Sequence, residues 1–180
     1  LVFNEVVDKA RSITVMGEAM REFMADNWTR GVFDGDELAK DVQGKFVYSV
    51  PVFSSIMTMQ KKAQELGFAF RVPKFQPRNP KNEPNENEAL VLKKLTAENL
   101  KEYYEYDSSA KVIRYYRAIQ LTEDCLKCHG DPAKSEEYWG RKDGTDPTGA
   151  KMEGWKAGQV HGAFALEYDL RRFVATQASV

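Results

Sequence analysis

Apolar positions in the first thirty residues recur at steps of three and four. This spacing puts them on one side of a helix, which is the pattern of an amphipathic helix. We therefore expect a long N-terminal helix within residues 1–27. The segment from residue 28 to residue 44 mixes glycine, aspartate and short apolar pieces, which is typical of an irregular connection. The apolar positions of the helix are Val6, Ala10, Ile13, Met16, Ala19, Met20, Phe23 and Met24.

Two more helices are predicted further along the chain. Ser54 or Ser55 can cap the first of them, and Gly67 is suited to end it. The second covers residues 88–100, where alanine and leucine side chains share one side. Between the two helices, residues 73–84 contain four prolines, each of which removes a hydrogen-bond donor and fixes a dihedral angle. That segment is therefore predicted to be an extended loop.

Strand signals lie between and after these helices, in short runs that alternate apolar and polar residues or are rich in tyrosine. Two of the runs flank Asp107-Ser108-Ser109, which has the composition of a β-hairpin turn. Asp169 can cap a closing helix. Together these elements predict an α+β fold with a small, mostly antiparallel sheet. The runs are residues 68–72, 103–106, 112–119 and 160–166.

Size and charge narrow the classes of protein to consider. The chain has 180 residues, of which 42% are hydrophobic and 29% charged, which is enough for the apolar core of one domain. We therefore expect a single domain over residues 1–180. The 26 lysines and arginines nearly balance the 27 aspartates and glutamates, so nothing favours a polyanionic partner. Nucleic acid is not an expected partner.

The sequence carries no pattern of a membrane or targeting segment. No window approaches the ~20 apolar residues of a membrane-spanning helix, and no signal-peptide pattern opens the chain. We expect a soluble polypeptide that meets a membrane only through segments absent from it. Because the sequence begins at Leu1, without methionine and inside a predicted helix, we expect it to be a fragment of a longer protein.

Both cysteines lie in one short motif, Cys125-x-x-Cys128-His129, so they cannot join distant parts of the chain. Cys-x-x-Cys-His is the attachment signature of c-type haem. Two intervening residues on a short helical turn bring both sulfurs within reach of two vinyl groups on one porphyrin edge, and the adjacent imidazole then points at the iron. We expect one covalent haem c, bound through Cys125 and Cys128, with His129 as an iron ligand.

Three other interpretations of this motif remain open. A thioredoxin-like couple would open a helix in a βαβ unit, which the predicted elements do not favour. A short motif can also occur in a loop by chance. A zinc site is the third interpretation. Two adjacent residues, Cys128 and His129, would fit poorly as two ligands of one tetrahedral zinc ion, and the sequence has no second pair of closely spaced cysteine or histidine ligands. The four zinc ligands would be Cys125, Cys128, His129 and His161.

Several further motifs follow one another in a recognisable order. They are residues 48–53 (YSVPVF), 70–74 (FRVPK), 77–82 (PRNPKN), 125–132 (CLKCHGDP), 154–158 (GWKAG) and 160–163 (VHGA). On these motifs the chain resembles the haem-c-containing, PAS-like sensor domains of bacterial methyl-accepting chemotaxis proteins and sensor kinases, which are also called the Tll0287-like family. The resemblance covers most of the chain from about residue 48 onward.

The resemblance implies several properties. The fold would be a PAS-like antiparallel sheet flanked by helices. The location would be periplasmic or extracytoplasmic, as part of an inner-membrane receptor. The resemblance also implies a homodimer, with N-terminal helices exchanged between the protomers. On this basis we expect a sensor domain that detects redox state or a small gaseous haem ligand and transmits the change by helix rearrangement to a membrane signalling protein.

A six-coordinate haem needs a second axial ligand, for which methionine or histidine is usual. Met16, Met20 and Met24 are four residues apart, so they share one face of the first helix. Such a stripe is more often core filling, but the resemblance implies a distal methionine or water. We favour Met24 or Met20, from the same chain or from a partner with exchanged helices. The remaining candidates are Met57, Met59 and His161.

Three cations lie in or near the proline-rich loop. Arg71, Lys74 and Arg78 can pair with the haem propionates, as cations beside carboxylates commonly do. They can equally form a solvated basic rim, and both interpretations stay open.

Haem alone does not define a function. A sensor domain is favoured over a monohaem c-type electron-transfer protein, because such carriers are usually smaller and need little more than a haem pocket. An enzyme is not expected, since a peroxidase would need a distal His/Arg pair and the chain has only two histidines.

Overall fold

Helices and strands follow one another in an irregular order along the chain. In the computed structural model, which describes residues 2–172, a long N-terminal helix comes first, as predicted. The helices are α1 (Val2–Thr29), α2 (Gly35–Leu38), α3 (Val47–Ser49), α4 (Pro51–Glu65), α5 (Glu86–Ala97), α6 (Leu126–His129) and α7 (Ser135–Trp139). The strands are β1 (Phe68–Arg71), β2 (Glu102–Asp107), β3 (Val112–Gln120) and β4 (Val160–Asp169).

The described residues form two compact units, each assembled from separate parts of the chain. The sheet unit comprises residues 2–17, 58–119 and 161–172, and the cysteine unit comprises residues 18–57 and 120–160. The helices α1 and α4 each contribute residues to both units. The single domain predicted over residues 1–180 stays a prediction.

The strands form one antiparallel sheet with the order β1-β4-β3-β2. In the pairing of β2 with β3, Tyr104 lies opposite Tyr115, as expected for a hairpin. The core of the sheet unit is tightly closed, with Leu95, Ile113 and Phe164 almost fully buried. This arrangement confirms the predicted PAS-like α+β fold, a small antiparallel sheet flanked by helices.

The predicted hairpin turn is organised by Asp107. Its carboxylate accepts hydrogen bonds from the backbone N–H groups of Ser109 and Ala110, each at 3.0 Å. The Ser109 hydroxyl, which also donates to this carboxylate, is the main cause of the lowered pKa of Asp107. Arg114 in β3 donates to Asp107 at 3.0 Å and to Glu167 in β4 at 2.7 Å. Charge-assisted hydrogen bonds therefore link three neighbouring strands.

The first half of α1 is fixed to β2 by an ion pair. Arg11 donates to Glu102 through Nε and Nη2, with the shortest of these bonds at 2.7 Å. The Tyr115 hydroxyl also donates to this carboxylate, at Oε2. The hydrogen bond from Arg11 is the main reason why the pKa of Glu102 lies below its ordinary value. These bonds define which face of α1 lies toward the sheet.

Gly17 allows α1 to approach α4 closely. A Cβ atom at this position would lie 2.1 Å from the sulfur of Met59, which is buried. Any larger residue would therefore have to displace the Met59 side chain. Met59 fills the core of the sheet unit at this contact.

The predicted cap at Ser54 or Ser55 is wrong, because α4 begins earlier, at Pro51. Proline suits the first turn of a helix, since its missing N–H would have had no partner inside the helix. Ser54 instead donates its hydroxyl hydrogen to the Tyr48 carbonyl at 2.8 Å, and Ser55 is fully buried. The helix stops before Gly67, as predicted.

The next helix begins with a reciprocal pair of hydrogen bonds. The Asn85 side chain accepts from the Glu88 N–H, and the Glu88 carboxylate accepts from the Asn85 N–H, both at 2.9 Å. This capping box starts α5 at Glu86, two residues before the predicted start. The connection predicted to be irregular after α1 contains the short helix α2 and a π-helical turn at Val42–Phe46.

The end of the described chain agrees with a closing helix. Residues 170–172 are helical, and the Asp169 carboxylate accepts from the Arg171 N–H at 2.9 Å. The rest of that predicted helix lies outside the described residues. Within residues 2–172, no helix has the length and apolar character needed to cross a membrane.

Candidate functional site

The cysteine motif begins shortly after β3 ends. The N–H of Leu121 donates to the Gln159 carbonyl at 3.0 Å, and this bond holds the start of the segment. A 3-10 turn at Glu123–Cys125 then leads directly into α6. Cys125 and Cys128 are not joined in a disulfide, and both are partly exposed. The short helical turn expected for this motif is therefore present, with both cysteines and His129 on it.

Gly130 ends this turn by approaching the Leu126 carbonyl more closely than a residue with a Cβ atom could. Its N–H donates to the Leu126 carbonyl at 2.8 Å. A Cβ atom on Gly130 would lie 2.5 Å from the same carbonyl oxygen, which belongs to the rigid backbone of the turn. The glycine that follows the motif is therefore a structural requirement for the position of His129.

His129 has a carboxylate partner from a distant part of the sequence. Its Nδ1 lies 2.9 Å from Oε2 of Glu153. The two side chains are 17% and 31% exposed, so this bond is partly shielded from solvent. When the imidazole is neutral and the carboxylate ionised, Nδ1 carries the hydrogen and the lone pair is on Nε2. This is the tautomer that offers Nε2 to a metal.

The chain around Glu153 is also bound to the motif through its backbone. The Trp155 N–H donates to the His129 carbonyl at 2.8 Å, and the Gly154 N–H donates to the Gly130 carbonyl at 2.9 Å. Met152, on the other side of Glu153, is buried, and its N–H donates to the Gly144 carbonyl at 2.9 Å. We call residues 152–155 the clamp segment.

An aromatic cluster supports the motif and extends to α1. The indole N–H of Trp139 donates to the Lys127 carbonyl, between the two cysteines, at 2.6 Å. The Trp139 ring makes edge contacts with Trp28 and Phe46, at centroid distances of 6.5 and 5.9 Å. Trp28 in turn donates from its indole to the Ser49 carbonyl at 2.8 Å. The C-terminal part of α1 is therefore packed with the residues that hold the motif.

Met20 and Met24 lie on this part of α1. Both precede Trp28 at four-residue steps, so they share the helix face that carries the aromatic contact. Both side chains are half-buried and both belong to the cysteine unit. Arg21 donates to the Gln120 carbonyl at 3.0 Å, next to the start of the cysteine segment. The favoured candidates for a distal ligand are thus on an element that adjoins the motif.

The other candidates for a distal ligand lie elsewhere. Met16 belongs to the sheet unit and is 69% exposed, while Met57 belongs to the cysteine unit and is 45% exposed. Met59 is in the core contact with Gly17. His161, at the start of β4, is half-buried and belongs to the sheet unit.

The three predicted propionate partners belong to the sheet unit. Arg71 makes two hydrogen bonds with the buried carboxylate of Glu88, at 2.8 and 3.1 Å. The backbone N–H of Lys74 donates to the Asn82 carbonyl at 3.0 Å, and Arg78 is exposed. Because the cysteine motif belongs to the other unit, a propionate role for Arg71, Lys74 and Arg78 stays a prediction.

The zinc interpretation finds no support in the described part of the chain. Among residues 2–172, no three histidine, cysteine, aspartate or glutamate side chains converge in a group that could hold a metal ion. A tetrahedral zinc site would need four such ligands. The donors at the motif are instead one imidazole and two thiols on a single turn, which is the set needed for covalent haem attachment.

The contacts of the clamp segment and Trp139 with the cysteine motif were not predicted from the sequence. Glu153 lies 24 residues after His129, and no periodic pattern connects the two positions. The one signal was the neighbouring motif at residues 154–158, which was used for the family resemblance and not for contacts. For Trp139, the available signal was the rarity of its residue type, because the sequence has three tryptophans.

The comparisons with known proteins agree with one family. The sequence profile of the Tll0287-like family matches residues 2–168. The fold is similar to that in the crystal structure of the cyanobacterial haem protein Tll0287, with a TM-score of 0.61 and 18% identity, over 90% of this chain and 93% of that one. No curated protein matches the chain at a significant level. Since the family profile covers nearly the whole length, this chain belongs to the Tll0287-like family.

Proposed function

We propose that this chain binds one haem c, attached covalently through Cys125 and Cys128 and ligated by Nε2 of His129. The observation that carries the proposal is the position of all three residues within one short helical segment, where the two cysteines form no disulfide and are both partly exposed. Membership of a family that includes a cyanobacterial haem protein supports it. The residues fit the group, because attachment requires two accessible thiols and an adjacent imidazole.

The residues around the motif prepare it for this role. The Thr122 N–H donates to the sulfur of Cys125 at 3.4 Å, and the Thr122 hydroxyl shares a hydrogen bond with the same thiol at 3.3 Å. Both contacts orient the Cys125 side chain at the start of the turn. The bond from Trp139 to Lys127 and the clamp segment hold the turn from two sides. The bound haem would supply an iron that changes oxidation state or takes up a small ligand.

We further propose that the domain is an extracytoplasmic sensor of redox state or of a small gaseous ligand. It would act in the periplasm, as part of an inner-membrane chemotaxis receptor or sensor kinase, and not as an enzyme. In support, the continuous helix α1 carries both the favoured distal ligands and Arg11, which is bound to the sheet. Gain or loss of a methionine ligand would therefore directly change the packing of α1, the N-terminal helix.

A direct test separates this role from that of an electron carrier. The full chain, made with c-type maturation machinery, is compared in its oxidised, reduced and carbon monoxide-treated forms by optical spectroscopy and amide hydrogen exchange. A sensor should show altered exchange in residues 18–29 of α1 when carbon monoxide binds or the iron is reduced. An electron carrier should change its spectrum and keep the same exchange pattern, and that result would contradict the sensor role.

We also propose that the chain forms a homodimer, with N-terminal helices exchanged. The side chains of Val15, Met16 and Phe23 on α1 are 43%, 69% and 62% exposed. An apolar stripe of this kind is a surface that a second copy could bury.

The dimer is expected to be visible by light scattering at micromolar concentration. Phe23→Glu should shift the protein toward the monomer, because a buried carboxylate in the interface is costly. Leu90→Glu is the matched control, since Leu90 is 65% exposed on α5 and should leave the mass unchanged. A parental protein that stays monomeric at every concentration contradicts the dimer.

A further inference from the structure

We infer that Glu153 is the positioning residue of His129: its carboxylate holds the imidazole so that Nε2 binds the iron, and its negative charge stabilises the oxidised iron. The inference rests on the proposed function, in which His129 is the axial ligand. It goes beyond the attachment motif, because Glu153 lies outside that motif and 24 residues away in sequence.

The geometry at His129 is that of a ligand with a fixed orientation. The bond between Nδ1 and the Glu153 carboxylate is 2.9 Å long, within the range of a charge-assisted hydrogen bond. An imidazole bound only through its Nε2 can rotate about the bond to the metal. A second bond at Nδ1 removes that freedom and selects the tautomer, as carboxylate partners of metal-bound histidines do.

The carboxylate itself is held in place by its neighbours. Met152 is buried on one side, and on the other Gly154 and Trp155 donate to the carbonyls of Gly130 and His129. Two backbone hydrogen bonds and one side-chain bond thus connect the clamp segment with the end of the motif. Glu153 is therefore positioned by the fold before any haem is attached, which is the condition for a preorganised ligand site.

The expected electronic effect follows from the charge of the partner. A carboxylate that accepts from Nδ1–H draws the proton toward itself and makes Nε2 a stronger donor. A stronger donor and a nearby negative charge both favour the ferric over the ferrous state, because the ferric iron carries one more positive charge. The Glu153 side chain is 31% exposed, so solvent screens this effect only in part. The reduction potential should therefore be lower with Glu153 than with a neutral residue.

The test compares the potential of the haem-loaded full chain with that of Glu153→Gln. Glutamine keeps the size and can still accept from Nδ1–H, but it lacks the charge. We expect the ratio of ferrous to ferric protein at a fixed ambient potential to rise about tenfold, which corresponds to ~59 mV for a one-electron couple. Glu153→Asp retains the charge on a shorter side chain, and it should remain closer to the parental potential than the glutamine variant.

Glu123→Gln is the matched control. Glu123 is exposed, lies two residues before Cys125 and loses the same charge on substitution. A specific role for Glu153 predicts a clearly smaller shift in this variant. The carbon monoxide complex of the ferrous protein is photolysed, which leaves five-coordinate iron, and the resonance Raman frequency of the bond between iron and histidine is measured in that product. This frequency should fall in Glu153→Gln and stay unchanged in Glu123→Gln. A purely structural role for Glu153 would not change this frequency.

The outcomes separate this inference from the proposed function. Covalent haem in every variant, with equal potentials for Glu153→Gln and the parent, overturns the role of Glu153 and leaves haem attachment intact. Parental protein without covalent haem contradicts the proposed function itself. If Glu153→Gln does not take up haem, the inference is tested on the parental protein instead. The exchange rate of Nδ1–H on His129 is measured by NMR in the carbon monoxide complex labelled with ¹⁵N-histidine. A slowly exchanging Nδ1–H on His129 supports the inference, and rapid exchange overturns it.

Discussion

Protein in which Cys125 and Cys128 are both replaced by alanine should emerge from c-type maturation without covalently bound haem. Thioether bonds are the only links that survive loss of the fold, and each needs one of these two sulfurs. In the parental protein, the haem should stay with the polypeptide through acid-acetone extraction and give a haem-stained band on a denaturing gel. The double variant should lose essentially all of this stain.

The control for this experiment changes the same turn without touching sulfur. Asp124→Ala combined with Lys127→Ala alters one residue before each cysteine, and it should keep stoichiometric haem. Far-UV circular dichroism checks that both double variants are folded. Stoichiometric haem after extraction in the cysteine variant would disprove covalent attachment. Zinc without iron, found by elemental analysis of the parental protein, would establish the zinc interpretation.

Replacing the distal methionine should convert the ferrous iron from six-coordinate to five-coordinate. We expect this change in either Met20→Leu or Met24→Leu, because these residues lie on the face of α1 that also carries Trp28 and its contact with Trp139. Leucine keeps the apolar volume, and such exchanges usually cost below ~1.5 kcal/mol. The loss of the ligand can thus be separated from a loss of folding.

The same variant should bind carbon monoxide more tightly. A methionine that occupies the iron in about 90% of ferrous molecules lowers the apparent affinity about tenfold, so its removal should raise the affinity by that factor. Methionine is a soft ligand that prefers reduced iron, so the ferric spectrum should change less.

Three other methionines serve as controls for the distal ligand. Met16→Leu, Met57→Leu and Met59→Leu should keep the parental ferrous spectrum. Optical spectra and carbon monoxide titrations of all five variants form the measurement. If none of the five changes the ferrous spectrum, ligation by these five methionines is disproved, and His161 or water becomes the ligand to test.

Sequence patterns predicted the elements of this molecule whose formation depends on residues close together in the chain. The first helix, the β2-β3 hairpin and the helical turn at Cys125 each depend on neighbouring residues, and each is present. The wrong cap at Ser54 or Ser55 arose because a serine before an apolar run can equally lie inside a helix. Pro51 is the better start signal, because proline suits the first turn of a helix.

Long-range partners could not be predicted in the same way. The bond between His129 and Glu153 and the pairing of Arg71 with Glu88 depend on how separate segments meet. Neither contact leaves a periodic trace in a single sequence. The division into two units was also unexpected, since each unit is built from discontinuous parts of the chain.

The continuity of α1 couples the directions of its two attached faces to the number of residues between them. Arg11 and Trp28 are bound to Glu102 and Ser49, respectively, and residues 12–27 between them form uninterrupted helix. Each residue added or removed between them rotates one end against the other by roughly 100°. An insertion of one or two residues would turn the helix face that carries Arg11 away from the direction of the face that carries Trp28, whereas insertions near seven or eleven residues would nearly restore the angle between the two faces. Lengthening by a near-integral number of turns would therefore keep the two faces in register along the helix.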